Sequence, residues 1–256
     1  MQLKLIRNAT LRLSYAGHEI LIDPMLGPKH SLPSFAGKEA NPTTDLPVPL
    51  LDVLQGVDLV VVSHLHPDHF DETAQQVLSR DVPVLVQPGD ERTFQTAGFK
   101  EMHVLEDRFI WQNLRFTRTP GQHGSGPILQ RMGNVMGFIL EAPGEPTLHW
   151  LGDTILTDDV LKVVQDQQPE VIVTHSAGAM IADTLLLMDA EQTLHLAQAA
   201  PQAVVVAVHM ESLDHCTVSR MDLRQAARDA GLREGQLIVP EDGEDVQVEA
   251  KEAVRA

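Results

Sequence analysis

Hydrophobic periodicity divides this 256-residue chain into four stretches, the last two repeating the order of the first two. Alternating runs at Leu3–Ile6 and Thr10–Tyr15, a turn at Ala16-Gly17-His18 and a third run over Glu19–Asp23 predict an antiparallel meander stopped by Pro24. Strand and helix patterns then alternate: a short helix near Leu50–Gln55, a buried strand Val57–Val62, a helix from Glu72 to Arg80 with Asp71 as N-cap, then Val82–Gln87, Asp90–Ala97 and Met102–Leu105. A second meander follows over Phe109–Gln112, Leu114–Thr119, Val135–Ala142 and Thr147–Leu151. Helix Asp158–Asp166, strand Val171–Thr174, helix Ala190–Ala199, strand Ala203–Val208, helix Arg220–Ala230 and strand Gln236–Val239 close the second half. Meander and βα units, twice over, predict two similar halves whose sheets face each other with helices outside. The expected fold is an α/β four-layer αβ/βα sandwich, with residues 1–256 as one domain.

Two stretches fall outside that scheme. Residues 27–49 hold Pro28, Pro33, Pro42, Pro47 and Pro49, and are too long for a simple connection. They read equally as a solvated surface loop or as a lid over a site. The acidic tail 241–256 is expected to fray.

Composition narrows the function. With 19 Lys+Arg against 36 Asp+Glu the net charge is −17, which repels phosphate backbones and disfavours nucleic acid as a partner. The single cysteine, Cys216, excludes an internal disulfide framework and a Cys-rich zinc knuckle, and fits a reducing compartment. The first residues lack a signal-peptide order and no apolar run has membrane-spanning length, so a cytoplasmic protein without a membrane partner is expected. Histidine, at 12 residues, is the surplus.

Three of those histidines stand in one six-residue motif. His64-Leu65-His66-Pro67-Asp68-His69 follows the apolar strand directly. The chance of His-x-His-x-Asp-His in a shuffled chain is about 0.002, so coincidence is a poor account of it. Residues two apart in extended backbone point the same way, so His64 and His66 can converge on one ion, and Pro67 bars a helix there. Asp68 and His69 follow where the chain turns, and can face a second ion. Imidazole and carboxylate suit zinc, manganese or iron(II), with no thiolate nearby to close a structural site.

In this motif the chain resembles the metallo-β-lactamase superfamily, whose signature is His-x-His-x-Asp-His at a strand end. The family's later positions are matched by His123 in Gly121-Gln122-His123-Gly124, Asp153 in Leu151-Gly152-Asp153-Thr154 and His209 in Ala207-Val208-His209. Its early strand aspartate, which buttresses the site, is matched by Asp23 in Leu21-Ile22-Asp23-Pro24. The resemblance spans Arg7 to about Pro240, and the family's fold is the αβ/βα sandwich. It implies two divalent ions, zinc first with manganese or iron(II) as alternatives. His64, His66 and His123 would hold one, Asp68, His69 and His209 the other, with Asp153 bridging. It also implies a bound hydroxide as nucleophile, with Asp68 orienting it or carrying its proton to the leaving group.

Further residues are candidates for substrate chemistry. His175, ending a strand, would sit on the rim of the site and donate a proton or bind an anion. His215, on the loop after His209, is a second substrate-binding candidate. Cys216 reads as a small loop or core residue, and His18, His30, His103, His149 and His195 as structural or surface.

The opening Arg7-Asn8-Ala9-Thr10 and the Asp23-Pro24 after the hairpin look like the cytosolic single-domain branch that contains L-ascorbate-6-phosphate lactonase and zinc-dependent hydrolases. The reading is a metal-dependent hydrolase of an ester, lactone or phosphoester of a small metabolite, which could be anionic, with a homo-oligomer left open. The rival is a mononuclear iron oxygenase acting on a sulfur substrate. A nucleic-acid phosphodiesterase is disfavoured by charge, and a silent binding protein by the complete ligand set.

Overall fold

A computed structural model describes residues 1–249 and sorts sixteen strands into two large sheets and one small hairpin. The first meander is β1 (Gln2–Arg7), β2 (Thr10–Tyr15) and β3 (His18–Ile22), with Leu3 opposite Leu13 and Leu5 opposite Leu11. After α1 (Leu50–Leu54), β4 (Leu59–Val62) joins β3 in parallel. Then come α2 (Glu72–Val77), β5 (Val84–Val86), α3 (Glu91–Ala97) and β6 (Met102–Val104), both strands again parallel. The second half repeats this with β7 (Arg108–Trp111), β8 (Leu114–Thr119), the short α4 (Leu129–Met132), β9 (Gly137–Glu141) and β10 (Leu148–Trp150). It continues through α5 (Asp158–Gln167), β11 (Val171–His175), a hairpin of β12 (Met180–Ile181) and β13 (Thr184–Leu185), α6 (Ala190–Ala199), β14 (Val204–Val208), α7 (Arg220–Asp229) and β15 (Leu237–Ile238).

Strand order shows the two-fold plan. One sheet runs β6-β5-β4-β3-β2-β1 and the other β15-β14-β11-β10-β9-β8, four parallel strands then antiparallel ones in each. Period-2 alternation assigns the layers. Leu59 and Val61 of β4 meet Val171 and Val173 of β11 in the core between the sheets, with Leu13, Phe116, Phe138 and Trp150. The alternate residues Val60 and Val62 pack outward with Ala74 of α2 and Phe94 of α3, while Ile172 and Val205 pack outward with Val160 of α5 and Leu196 of α6. This is the four-layer αβ/βα sandwich of the metallo-β-lactamase fold. Among the described residues no helix is long and apolar enough to cross a membrane.

The caps explain where helices begin. Asp71 accepts the Ala74 amide at 2.7 Å, as its sequence position predicts, and Asp189 and Ser219 do the same for α6 and α7. Asp90, at the start of α3, makes no side-chain cap bond.

The tail differs from expectation. Asp245–Gln247 form β16, which pairs antiparallel with β1 and seats Val246 opposite Leu3 in the inter-sheet core. The ladder to β1, the buried Val246 and the Lys4–Asp245 ion pair at 3.0 Å fasten a strand that an acidic composition conceals. The rest of the expected frayed tail, 250–256, lies outside the described residues.

Candidate metal centre

Parallel strands point their carboxyl ends the same way, and both sheets do so toward one edge of the sandwich. Asp23 follows β3, His64 to His69 follow β4, Asp153 follows β10, His175 ends β11 and His209 follows β14, while His123 stands on the loop after β8. Asp23 and His209 both adopt left-handed backbone, φ 46° and 65°. Such conformations cost free energy in non-glycine residues and concentrate at functional sites. Gly152 supplies the turn before Asp153 at φ 67°, where a Cβ would lie 2.6 Å from the Met136 carbonyl oxygen.

Asp153 is the hub. Its Oδ2 lies 3.2 Å from His69 Nε2, 3.3 Å from His123 Nε2 and 3.7 Å from His64 Nε2. His66 Nδ1 is 3.0 Å from His64 Nε2. On the other side His209 Nε2 is 3.2 Å from Asp68 Oδ2, 3.3 Å from His69 Nε2 and 3.7 Å from Asp153 Oδ1. Two groups of donors result, each within 4.8 Å of one another: His64, His66, His123 and Asp153, and His69, His175, His209 and Asp153.

This donor set fits divalent ions. It is rich in imidazole and has buried carboxylates, the ligands zinc prefers in sites without thiolate. Although burial pushes both carboxyls up, His69 and His209 hold Asp68 and Asp153 well below the usual range, so both carry charge. Against burial, Asp153 and Asp68 raise His69 well above and His209 to about 10. The field between these carboxylates therefore favours a cation. Burial, with the neighbouring His69, keeps His64 well below its ordinary value and so neutral.

Outer contacts aim the inner ones. Asp23, fully buried, accepts the Ser63 amide at 2.7 Å, the Ser63 hydroxyl at 2.6 Å and His69 Nδ1 at 2.8 Å, which turns His69 Nε2 toward the centre. Its two oxygens are taken up by Ser63 and His69, the arrangement a buttressing residue would have. His123 Nδ1 donates to the Leu186 carbonyl at 3.1 Å, with the same effect on its Nε2. Asn8 was not among the expected site residues, yet its amide donates to the Asp68 carbonyl at 3.0 Å and its carbonyl accepts the His209 amide at 2.8 Å. An asparagine in the short turn between two strand patterns, a residue type that tolerates the left-handed φ of 58° found there, was the available signal.

His175 departs from its expected place on the rim. It shares the inward face of β11 with Val171 and Val173, so it is 1% exposed, edge-on to Trp150 at 4.9 Å. Its Nδ1 donates to Asp153 Oδ1 at 2.6 Å. It is therefore absent from the cavity lining and faces Asp153 instead. His215 does reach the space above the cluster. It lines a cavity of about 300 Å³ with His66, Asp68, His123 and Asp153 as floor and Phe35, Met132 and Leu186 among the walls. A larger cavity of about 710 Å³ touches only His123 of the cluster, so the chemistry belongs to the smaller one. Cys216 is partly buried with Sγ toward the His209 carbonyl.

Comparison with known proteins gives the family and the fold. The family model described as the beta-lactamase superfamily domain matches residues 18–210. The UPF0173 protein YddR of Bacillus subtilis is 36% identical over 251 residues, covering 95% of this chain and 98% of that protein. The crystal structure of a possible metal-dependent hydrolase from Veillonella parvula superposes with a TM-score of 0.93 at 32% identity, covering 97% of this chain and 99% of that one. That of an isothiocyanate hydrolase from Delia radicum gut bacteria gives 0.92 at 35% identity, covering 98% and 100%. With its signature residues gathered at the strand ends of the expected sandwich, the chain belongs to the metallo-β-lactamase superfamily.

Proposed function

We propose that this metal-dependent hydrolase works with two divalent ions, zinc first, and cleaves a small substrate at an electrophilic carbon or phosphorus: an ester, lactone or phosphoester. The observation that carries the reading is the convergence of His64, His69 and His123 on one oxygen of Asp153 at the floor of a cavity sized for a small molecule. His64, His66 and His123 would hold one ion, Asp68, His69 and His209 the other, and Asp153 both. Ions bound there supply a water acidified toward neutrality and a Lewis acid for the oxygen that gains charge.

The chain's own residues do the rest. Asp68 lines the cavity as a carboxylate, where it is placed to orient the attacking water or to carry its proton to the leaving group. His175 and Asp23 keep Asp153 and His69 aimed. His215 offers a ring nitrogen to a polar substrate atom. Arg131 stands at the mouth, where an anionic group would meet it.

The gut-bacterial neighbour is described as an isothiocyanate hydrolase. An isothiocyanate carbon is also an electrophile attacked by water, and the half-apolar cavity suits its organic group, so isothiocyanates join esters and lactones in the substrate class. The test is metal analysis of protein purified without added metal, followed by a hydrolysis screen of phenyl esters, lactones, phosphodiesters and isothiocyanates. Two zinc or manganese ions per chain with turnover of one class is expected. One iron per chain with oxygen uptake would establish the oxygenase reading and reject this one.

A further inference from the structure

The proline-rich segment and a distant aspartate make a structure that neither explains alone. The base of the segment is tied by Arg7, fully buried, whose guanidinium donates to the carbonyls of Met25, Gly27 and Thr44. Leu32 and Asn41 pair across its neck. Its tip, from Ser34 to Glu39, wraps around the carboxylate of Asp214, more than 170 residues away in sequence.

That carboxylate collects donors from almost every turn of the tip. The backbone amides of Phe35, Ala36, Lys38 and Glu39 point at it from 2.9 to 3.3 Å. The Ser34 hydroxyl bonds it too, and the Asn41 side-chain amide donates at 3.0 Å while its oxygen accepts the Asp214 amide at 2.8 Å. Six donors on one carboxylate are more than its lone pairs satisfy singly, and Ala36 is shared between both oxygens. Burial opposes the charge, yet the bonds from Ser34, Asn41 and Phe35 hold Asp214 well below the usual carboxylate range. The tip has no helix or strand of its own, so these bonds are its scaffold.

The anchor stands beside the cavity. Ser34 and Phe35 line it, and the next residue after Asp214 is His215, whose ring meets that of Phe35 edge-on at 5.3 Å and 83°. His215 is 7% exposed and its Nδ1 has no protein partner. One carboxylate therefore sets both an apolar and a polar wall over Asp68 and Asp153.

The geometry points to Asp214 as a positioning residue that locks residues 33–41 into a permanent wall of the substrate cavity, and to Phe35 on that wall as the residue that selects an apolar organic group. This rests on the reading of the cluster as a metal-dependent hydrolase site. The segment is then no swinging lid: the cavity is built before the substrate arrives, and selectivity lies in a fixed shape.

The test uses the full-length, zinc-loaded protein and separates the wall from the metal. Amide hydrogen exchange over residues 34–39 and trypsin cleavage after the exposed Lys38 report the lock without any substrate. In Asp214→Ala, exchange there is expected to quicken by about a hundredfold and cleavage to appear, with zinc content unchanged. Exchange as slow as in the wild type would overturn the lock. Acetohydroxamate and 3-phenylpropanohydroxamate, which need a metal but no turnover, report the selectivity by competition binding. The wild type is expected to favour the phenyl compound by about tenfold, and Phe35→Ala, which leaves the anchor intact should Asp214→Ala misfold, to bring the ratio within about threefold of one. A ratio that Phe35→Ala leaves unchanged would overturn Phe35 as selector. Failure of both hydroxamates to bind any zinc-loaded protein would instead refute the metal-site reading, and the selectivity with it.

Discussion

Asp23→Asn changes one buried atom and tests how the second ligand group is aimed. The Asp23 carboxylate accepts three bonds of 2.6 to 2.8 Å, two from Ser63 and one from His69 Nδ1. An asparagine keeps one oxygen, which can hold the Ser63 amide, and sets an NH2 where Oδ2 met both the hydroxyl and the imidazole. Ser63 adapts, because a hydroxyl can turn and accept. His69 cannot do so without cost: to accept from the new N–H its Nδ1 must lose its proton, which moves the hydrogen to Nε2, the nitrogen that faces Asp153 at 3.2 Å. A protonated Nε2 is no metal ligand. Loss of such an outer partner typically weakens metal binding 10- to 100-fold, about 1.4 to 2.7 kcal/mol. Competition against a chromophoric chelator should show one zinc equivalent weakened by that factor and the other, proposed for His64, His66 and His123, nearly unchanged. Two equivalents bound within about threefold of wild-type affinity would refute the tautomer argument.

Two other substitutions and a truncation probe the frame. His149 is buried beside the Thr119 hydroxyl, and burial drives it down to about 3. A depressed histidine supports the fold above its unfolded value near 6.5 and loses that support as pH falls toward 3. From pH 7 to pH 5 this removes about 2 kcal/mol, so urea unfolding in EDTA should show a flatter loss for His149→Gln, and parallel curves would count against it. Gly152→Ala forces a Cβ against the Met136 carbonyl at φ 67°, and should lower the apo melting temperature and displace Asp153, read as loss of both zinc equivalents; a fully loaded variant would be contrary evidence. Truncation after Gly243 removes β16 and uncovers Leu3, with an expected loss of about 1 to 3 kcal/mol by urea unfolding, whereas unchanged stability would mean that β16 contributes nothing.

Much of this was legible in sequence because the site uses strand ends. An apolar run that stops at a histidine or aspartate marks where a parallel strand delivers a side chain, and Asp23, His64, Asp153 and His209 all announce themselves that way. His175 carries the same mark but lies in phase with Val171 and Val173, so the alternation that defines β11 turns it inward. Phase, which was readable, outranks position. The hairpin β12–β13 was invisible because two-residue strands have no period, although it leads into Leu186, whose carbonyl aims His123. Nothing local marks Asp214 either: its partners lie 173 to 180 residues away, and only the fold brings them together.

The ligand groups draw on both halves of the sandwich, residues 64 to 69 from one sheet and residues 123 to 209 from the other. Ions held there would act as rivets across the seam, and linkage makes the effect reciprocal: whatever holds the two sheets in register also holds the ions. Metal affinity is then a gauge of how firmly the sheets are docked. Trimming Leu13 or Phe138, which lie deep between the sheets, should loosen the ions along with the fold.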